Sequence, residues 1–401
     1  MNKKIPLGAA ICFMGIIAAI TFVITMIFSM GWFNSKMSRV KEREQLYAKI
    51  AEIDGIVRAN YVDEAEIDKE ALFDAMSRGY IAGLNDKYAA YFTPEELKKE
   101  QQDNEGILVG IGIAAKQDES GYIQVSDVYD GSPAKEAGLQ KGDLIVKVDD
   151  QDVAVVGYSA AVDMVSGEAG TKVKITYRRD GADKDLELTR KQVEIPSVSY
   201  RMIENNGYIK ITTFNAATVK QFETAVDSCI EQGAKGLIFD LRNNGGGTLD
   251  SVKQMLDKLI STGVTAYQRG QDGEKKVLCE ATDAGEVDLP MVTLTNGNTA
   301  SAAELFVSAL KDYDKAKSVG TTTFGKGIMQ DMYTLSDGSA VKITTAYFDP
   351  PKSENFHGVG IKPDYPVSLT TEQEQSFDLL DETTDPQLKK AIEVVSAAQA
   401  G

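Results

Sequence analysis

The N-terminus is the most one-sided stretch of the chain: Lys3 and Lys4 precede an uncharged run from Ile5 to Ser35 whose centre, Ile11 to Phe33, is almost wholly apolar. A helix needs roughly 20 such residues to cross the hydrocarbon core, so this run predicts a transmembrane helix. A cleaved signal peptide would have a shorter apolar stretch and a small-x-small site behind it. Met30 to Asn34 supplies no such site, and residues 1–35 therefore read as an uncleaved anchor. Basic residues flank the run on both sides, with Lys36, Arg39, Lys41 and Arg43 following it, so charge leaves the orientation open. No second apolar run of that length follows. Everything beyond residue 36 is expected on one side of a single-pass cell-membrane anchor, outside the cytoplasm if the anchor acts as an uncleaved export signal.

From Glu42 to about Gln102 the apolar positions Leu46, Ile50, Ile53, Ile56 and Val57 recur at three- and four-residue spacings, and Thr93-Pro94-Glu95-Glu96 reads as a helix start with proline in the first turn. A helical region is expected over 36–104. Between Gly106 and Arg190 the texture changes to short β-rich runs, such as Gly121 to Val128 and Thr171 to Arg179, separated by glycine turns. That predicts a compact β-rich module over 105–191. Beyond Ser197, strands such as Tyr208 to Phe214, Gly236 to Arg242 and Met291 to Thr295 alternate with helical stretches at Val219–Gln232, Leu249–Ile260 and Ala302–Tyr313, the pattern of an α/β core over 192–370. Residues 371–401 form a polar tail expected to end in a helix. The fold class is thus α/β and multidomain, with an anchor and a helical region ahead of a β-rich module and an α/β core.

With 401 residues, 43% apolar and 26% charged, the chain is long enough for several folded cores. Its net charge of −17 gives no general attraction for phosphate backbones, so nucleic acid is not an expected partner. Cys12, Cys229 and Cys279 make neither a disulfide framework nor a zinc spacing; at most Cys229 and Cys279 could pair.

Three segments carry chemistry. In the first, Gly110-Ile111-Gly112-Ile113 enters a strand with glycines that leave backbone N–H groups free, a nest able to hold a terminal carboxylate. Taken alone it is only a strand start. In the second, Leu237 to Leu249, a buried strand runs through Gly245-Gly246-Gly247 into a helix without the spacing of a nucleotide loop, leaving N–H groups that suit an oxyanion. The third joins Thr299-Ala300-Ser301-Ala302-Ala303-Glu304 to Phe324-Gly325-Lys326-Gly327. Ser301-x-x-Glu304 by itself is a capping box. Lys326, hemmed by two glycines and beside Phe324, is expected where water is excluded and its ammonium becomes a usable base. Gln330, four residues on, shares its face and is placed to hold it. The lone histidine, His357, lies in a glycine-rich loop and reads as structural, and no Gly-x-Ser-x-Gly elbow is present, so a serine hydrolase here would need a lysine base.

Gly131-Ser-Pro-Ala-Lys-Glu-Ala-Gly-Leu-Gln-Lys-Gly-Asp143 closely resembles the signature of PDZ domains in bacterial proteases. The whole sequence resembles the carboxy-terminal processing peptidases of the tail-specific protease family: Gly83 to Glu96, the PDZ signature, Asp240 to Gly247, Thr299 to Glu304 and Phe324 to Gln330 occur in the family's order over 36 to about 370. Thr299, Ala303 and Gly245 depart from the family's commoner residues but remove no reacting group. The resemblance implies a membrane-anchored serine endopeptidase with Ser301 as nucleophile, Lys326 as base and Gln330 beside it, and an oxyanion site from Ala302 and Gly246, with Gly247 next in line. It implies a carboxylate loop of Leu108, Val109, Gly110, Ile111, Gly112 and Ile113, flanked by a helix over Tyr158–Val165. The expected partners are proteins or peptides with accessible C-termini, a homodimer is compatible with the family, and neither metal nor organic cofactor is required. The alternative is a catalytically silent, membrane-anchored PDZ adaptor.

Overall fold

The computed structural model describes residues 7–282 and 287–399, and the chain divides into two compact units, 1–76 and 77–401. The first unit is dominated by one continuous helix, Leu7–Asn60. It carries the only span among the described residues that is long and apolar enough to cross a membrane, with a mean hydropathy of 2.4, and its large apolar side chains, Phe22 and Phe28 among them, are exposed.

Within the second unit a β-rich part is built from the strands Ile113–Gln117, Ile123–Val128, Leu144–Val148, Lys172–Arg179 and Ala182–Thr189, each antiparallel to the next. Strict alternation explains it: along Lys172–Arg179, Val173, Ile175 and Tyr177 are buried and the residues between them are not. Helix Tyr158–Val165 closes this core through Ala161 and Val165. The chain enters the module along Ile107–Gly110 and leaves along Lys191–Glu194. These two segments pair antiparallel with each other and with nothing else, Leu108 opposite Val193 and Gly110 opposite Lys191.

The α/β part has a six-stranded sheet in the order Val198–Ile203, Asn206–Ile211, Gly236–Asp240, Met291–Thr295, Ala316–Gly320, Tyr365–Pro366, parallel after the first hairpin. Gly236–Asp240 and Met291–Thr295 are buried along their whole length because both faces are covered. Leu237 and Phe239 join Phe222, Phe306 and the helices Ala216–Glu231, Leu249–Leu259 and Ala302–Asp312 on one face, and Ile238 joins Leu388 and Val395 of helix Pro386–Ala398 on the other. A second sheet contains Thr262–Arg269, Lys275–Thr282, Ile328–Thr334 and Ala340–Asp349. It also contains Ala90–Phe92, antiparallel to Ala340–Lys342, so the stretch read as purely helical before residue 104 contributes a strand to the catalytic part, where Tyr91 is buried. Cys229 and Cys279 are both buried with free thiols, so the pairing allowed by the sequence does not form. Burial pushes the Cys279 thiol up to about 11.

Candidate active site

The loop after Met291–Thr295 is bolted to the glycine loop after Gly236–Asp240: Thr299 Oγ1 donates to Leu241 O at 2.8 Å and Ala300 N to Asn244 O at 2.9 Å. Ser301 then enters helix Ala302–Asp312 at φ 59° and ψ −121°, a conformation that residues with a side chain rarely adopt. Glu304 Oε2 accepts the Ser301 N–H at 2.9 Å, the arrangement of a capping box. Ser301 Oγ faces the Glu304 N–H across the same capping box without forming a side-chain cap hydrogen bond of full geometry.

Glu304 does far more than cap. Its carboxylate is fully buried. Besides Ser301 N, Oε2 accepts Lys326 N at 2.7 Å, while Oε1 accepts Gly325 N at 2.7 Å and the Thr323 hydroxyl. A buried carboxylate is tolerated because four donors replace its water. One oxygen atom therefore ties the serine turn to the lysine loop, two segments far apart in sequence. The motif showed the cap, and nothing in it showed the other partners.

Lys326 is half-buried, and its Nζ makes no hydrogen bond or ion pair among the described residues. Burial lowers the ammonium below its ordinary value, Lys342 and Lys87 push the same way, and Asp86 opposes them. The flanking glycines are required by close approach. A Cβ on Gly325, which has φ 88°, would lie 2.8 Å from Gly360 N, and one on Gly327 would lie 2.7 Å from Asn355 Oδ1. Phe324 does not supply the cover expected of it, since it is 50% exposed. The Tyr88 ring does, with its centre 4.5 Å from Lys326 Nζ.

Gln330 is not bonded to Lys326. Its Nε2 donates to Thr344 Oγ1 at 3.1 Å. Lys326 precedes strand Ile328–Thr334, and a bulge between Met329 and Gln330 interrupts the alternation between them. The three N–H groups expected for the oxyanion differ in their bonding. Gly246 N donates to Asn244 Oδ1 at 2.8 Å and is occupied, whereas the N–H groups of Ala302 and Gly247 make no hydrogen bond among the described residues. Gly246 serves by its lack of a side chain, since a Cβ there would lie 2.9 Å from both Ala302 N and Ser301 Cβ. His357 has no bond to this centre. Its ring stands edge-on to Tyr347, with centres 5.9 Å apart, and its Nδ1 is buried without a partner.

Below the glycine loop, Arg242 is buried between Asp240 and Asp385 and also donates to Gln387 Oε1 at 2.9 Å. Tyr208 donates its hydroxyl to Asp240 at 2.6 Å. This network fixes the end of strand Gly236–Asp240 to the start of the last helix.

In the β-rich part, a cavity of about 70 Å³ is lined by Leu108, Gly110, Ile111, Gly112, Ile113 and Val165, among others. The N–H groups of Ile111 and Gly112 make no hydrogen bond among the described residues, and strand Ile113–Gln117 is paired on one side only, with Ile123–Val128. A Cβ on Gly112, φ 77°, would lie 2.3 Å from Ser132 Cβ. Val109 does not line the cavity. With Leu108 it belongs to the strand paired to Lys191–Glu194, so the open loop is shorter than the six residues expected. Among the described residues no group of His, Cys, Asp or Glu side chains is arranged to hold a metal.

The sequence profile of Peptidase family S41 matches residues 205–367 and that of the PDZ domain matches 124–179. A Staphylococcus epidermidis ATCC 35984 protein named "Probable CtpA-like serine protease" is 33% identical over 366 residues, covering 91% of this chain and 74% of the relative. The chain belongs to peptidase family S41. A protein of the same name from Staphylococcus aureus N315 is 34% identical over 367 residues, covering 91% of this chain and 73% of the relative. Among solved structures, a Bacteroides fragilis NCTC 9343 protein assigned to the S41 proteases shares the fold with a TM-score of 0.53 at 18% identity, covering 86% of this chain and 97% of the other. As a member of S41 the protein is a peptidase, and a PDZ domain precedes its catalytic part.

Proposed function

We propose that this S41 peptidase is a membrane-anchored serine endopeptidase that reads polypeptide C-termini through its PDZ groove and cleaves by a Ser-Lys acyl-enzyme mechanism. The observation that carries the reading is the Glu304 carboxylate, which holds the backbone of both Ser301 and Lys326 on one oxygen. Lys326, its ammonium destabilised by burial, is the base: neutral Nζ takes the Ser301 Oγ proton as Oγ attacks the scissile carbonyl, and returns it to the leaving amine. The tetrahedral oxyanion is received by the free N–H groups of Ala302 and Gly247, and water then hydrolyses the acyl-enzyme. Ile111 and Gly112 hold the substrate's terminal carboxylate, and its last residues extend the sheet along Ile113–Gln117. The helix Leu7–Asn60 anchors the enzyme, with the catalytic part outside the cytoplasm.

The test incubates the full-length protein in detergent with two substrates differing only in an apolar or a charged C-terminal tail, and locates the cuts by mass spectrometry. Cleavage that prefers the apolar tail and disappears in Ser301→Ala supports the reading. Tail binding without cleavage by the unmutated protein would leave the silent adaptor.

A further inference from the structure

The segment Asn355 to Ile361 runs along the loop that carries Lys326, and the two meet backbone to backbone. Gly358 N donates to Gly325 O at 2.9 Å, Thr323 N to Ile361 O at 3.2 Å, and Ile361 N to Thr323 Oγ1 at 2.7 Å. A Cβ on Gly360, φ 72°, would lie 2.2 Å from Thr323 O, so no side chain could stand between the two segments there. This strap falls within the S41 match, yet it supplies no group to the acyl transfer described above.

At its head stands Asn355. Its Nδ2 donates to Gly327 O at 3.1 Å, Phe348 O at 2.8 Å and Asp349 Oδ1 at 2.9 Å, and its Oδ1 accepts the His357 N–H at 2.8 Å. Three acceptors on one side and one donor on the other allow the carboxamide a single orientation, because turned over it would set oxygen against oxygen three times. Asp349 is buried, and burial opposes its charge, but hydrogen bonds from Arg269, Asn355 and Lys275 hold its carboxyl down to about 2. Near neutral pH it is therefore an acceptor only.

Gly327 O, which also receives Phe348 N at 3.3 Å, is the carbonyl one residue beyond Lys326. On the other side of the lysine, its own main-chain N–H is held by Glu304 Oε2. The Lys326 main chain is thus fixed twice. Ahead of it is a carboxylate on helix Ala302–Asp312, the helix that Ser301 begins, and behind it an amide tied to the end of strand Ala340–Asp349 in the other sheet. Chemistry between two side chains is sensitive to such placement, since a misplacement of about 1 Å costs on the order of a hundred-fold in rate.

We propose that Asn355 is a positioning residue of the peptidase centre: by holding Gly327 O against the end of strand Ala340–Asp349, it fixes where the Lys326 side chain starts and hence the reach of its amine to Ser301 Oγ. This rests on the Ser-Lys reading above.

The test uses the full-length protein in detergent, a peptide of apolar C-terminus, and single-turnover cleavage with enzyme in excess. The limiting rate constant at saturating enzyme reads the chemical step and does not depend on what fraction of the enzyme is folded. Asn355→Ala should lower that constant by about ten-fold, the usual loss for one hydrogen-bonding group. Asn355→Asp keeps the shape but turns the donor into a second carboxylate facing Asp349 and two carbonyls, and should lower it by about a hundred-fold. The half-saturating concentration of folded enzyme and the affinity for a labelled tail peptide should change by less than about two-fold in both variants. A role confined to folding has the reverse signature, a lower thermal midpoint with the parental limiting rate, and that result in either variant would overturn the proposal. If Asn355→Asp does not fold, Asn355→Ala decides alone. An active Lys326→Ala would instead remove the Ser-Lys reading on which the proposal rests.

Discussion

The catalytic centre and the PDZ groove hold their backbone N–H groups in opposite ways. Around Ser301 nearly every N–H is engaged: those of Ser301, Gly325 and Lys326 by Glu304, that of Gly246 by Asn244, that of Phe324 by Thr299 O. The two left over, Ala302 and Gly247, stand out against that background. In the groove the free donors of Ile111 and Gly112 sit on a buried loop that lines the cavity beside an unpaired sheet edge. The first region is organised around one buried anion supplied by the chain itself, and the second around the absence of one, which a substrate carboxylate would bring. Chemistry at a single bond needs donors fixed before the substrate binds. Recognition of variable tails needs only an unfilled edge.

Substitutions at five positions test this contrast, from the largest expected effect to the smallest. Ser301→Ala should abolish proteolysis and leave tail-peptide binding intact, as read by cleavage and by fluorescence anisotropy of a labelled peptide. Its folding cost should stay within the roughly 0.5 to 2 kcal/mol of a lost helix cap. Lys326→Ala should be equally inactive, because members of a catalytic unit are not additive, and Lys326→Arg should not restore turnover, since a guanidinium keeps its proton. On the Ser-Lys reading the active form is the neutral amine, whose conjugate acid is weakened by burial. Activity should therefore rise with pH, with an apparent pKa below the roughly 10.4 of free lysine. Glu304→Gln replaces one acceptor oxygen with a donor facing N–H groups. It should cost about 2 to 4 kcal/mol in chemical denaturation and most of the activity, with peptide binding unchanged. Gly112→Val should act only in the groove, because its Cβ meets Ser132: tail preference disappears, while cleavage of a short tail-independent peptide changes little. His357→Ala, away from both regions, should keep its turnover, and loss of activity there would move the base from Lys326.

The strands and helices of the α/β part were legible because residues on two covered faces produce long apolar runs, as in Gly236–Asp240. The positions of Ser301 and Lys326 were legible because a serine before an apolar helix and a lysine between glycines are each unusual and stand in a recognisable order. What escaped depended on partners distant in sequence. Glu304 looked like a local cap, and its loop partners lie some twenty residues further on. Gln330 was placed by an alternation that a bulge interrupts. Phe324 was given the covering role because it is Lys326's near neighbour in sequence, whereas the ring that covers Nζ, Tyr88, arrives from the other end of the chain in a turn just ahead of the short strand Ala90–Phe92.

The paired segments Ile107–Gly110 and Lys191–Glu194 bear on how such an enzyme is assembled over evolutionary time. At their base Ile195 N donates to Gly106 O at 2.8 Å, so the chain leaves the catalytic part and returns to it at almost the same point. A reading module attached through one closed stem can be gained, exchanged or dropped as a cassette without cutting any strand of the peptidase sheet. A chain rejoined from Gly106 to Ile195 has only that single hydrogen-bonded gap to bridge.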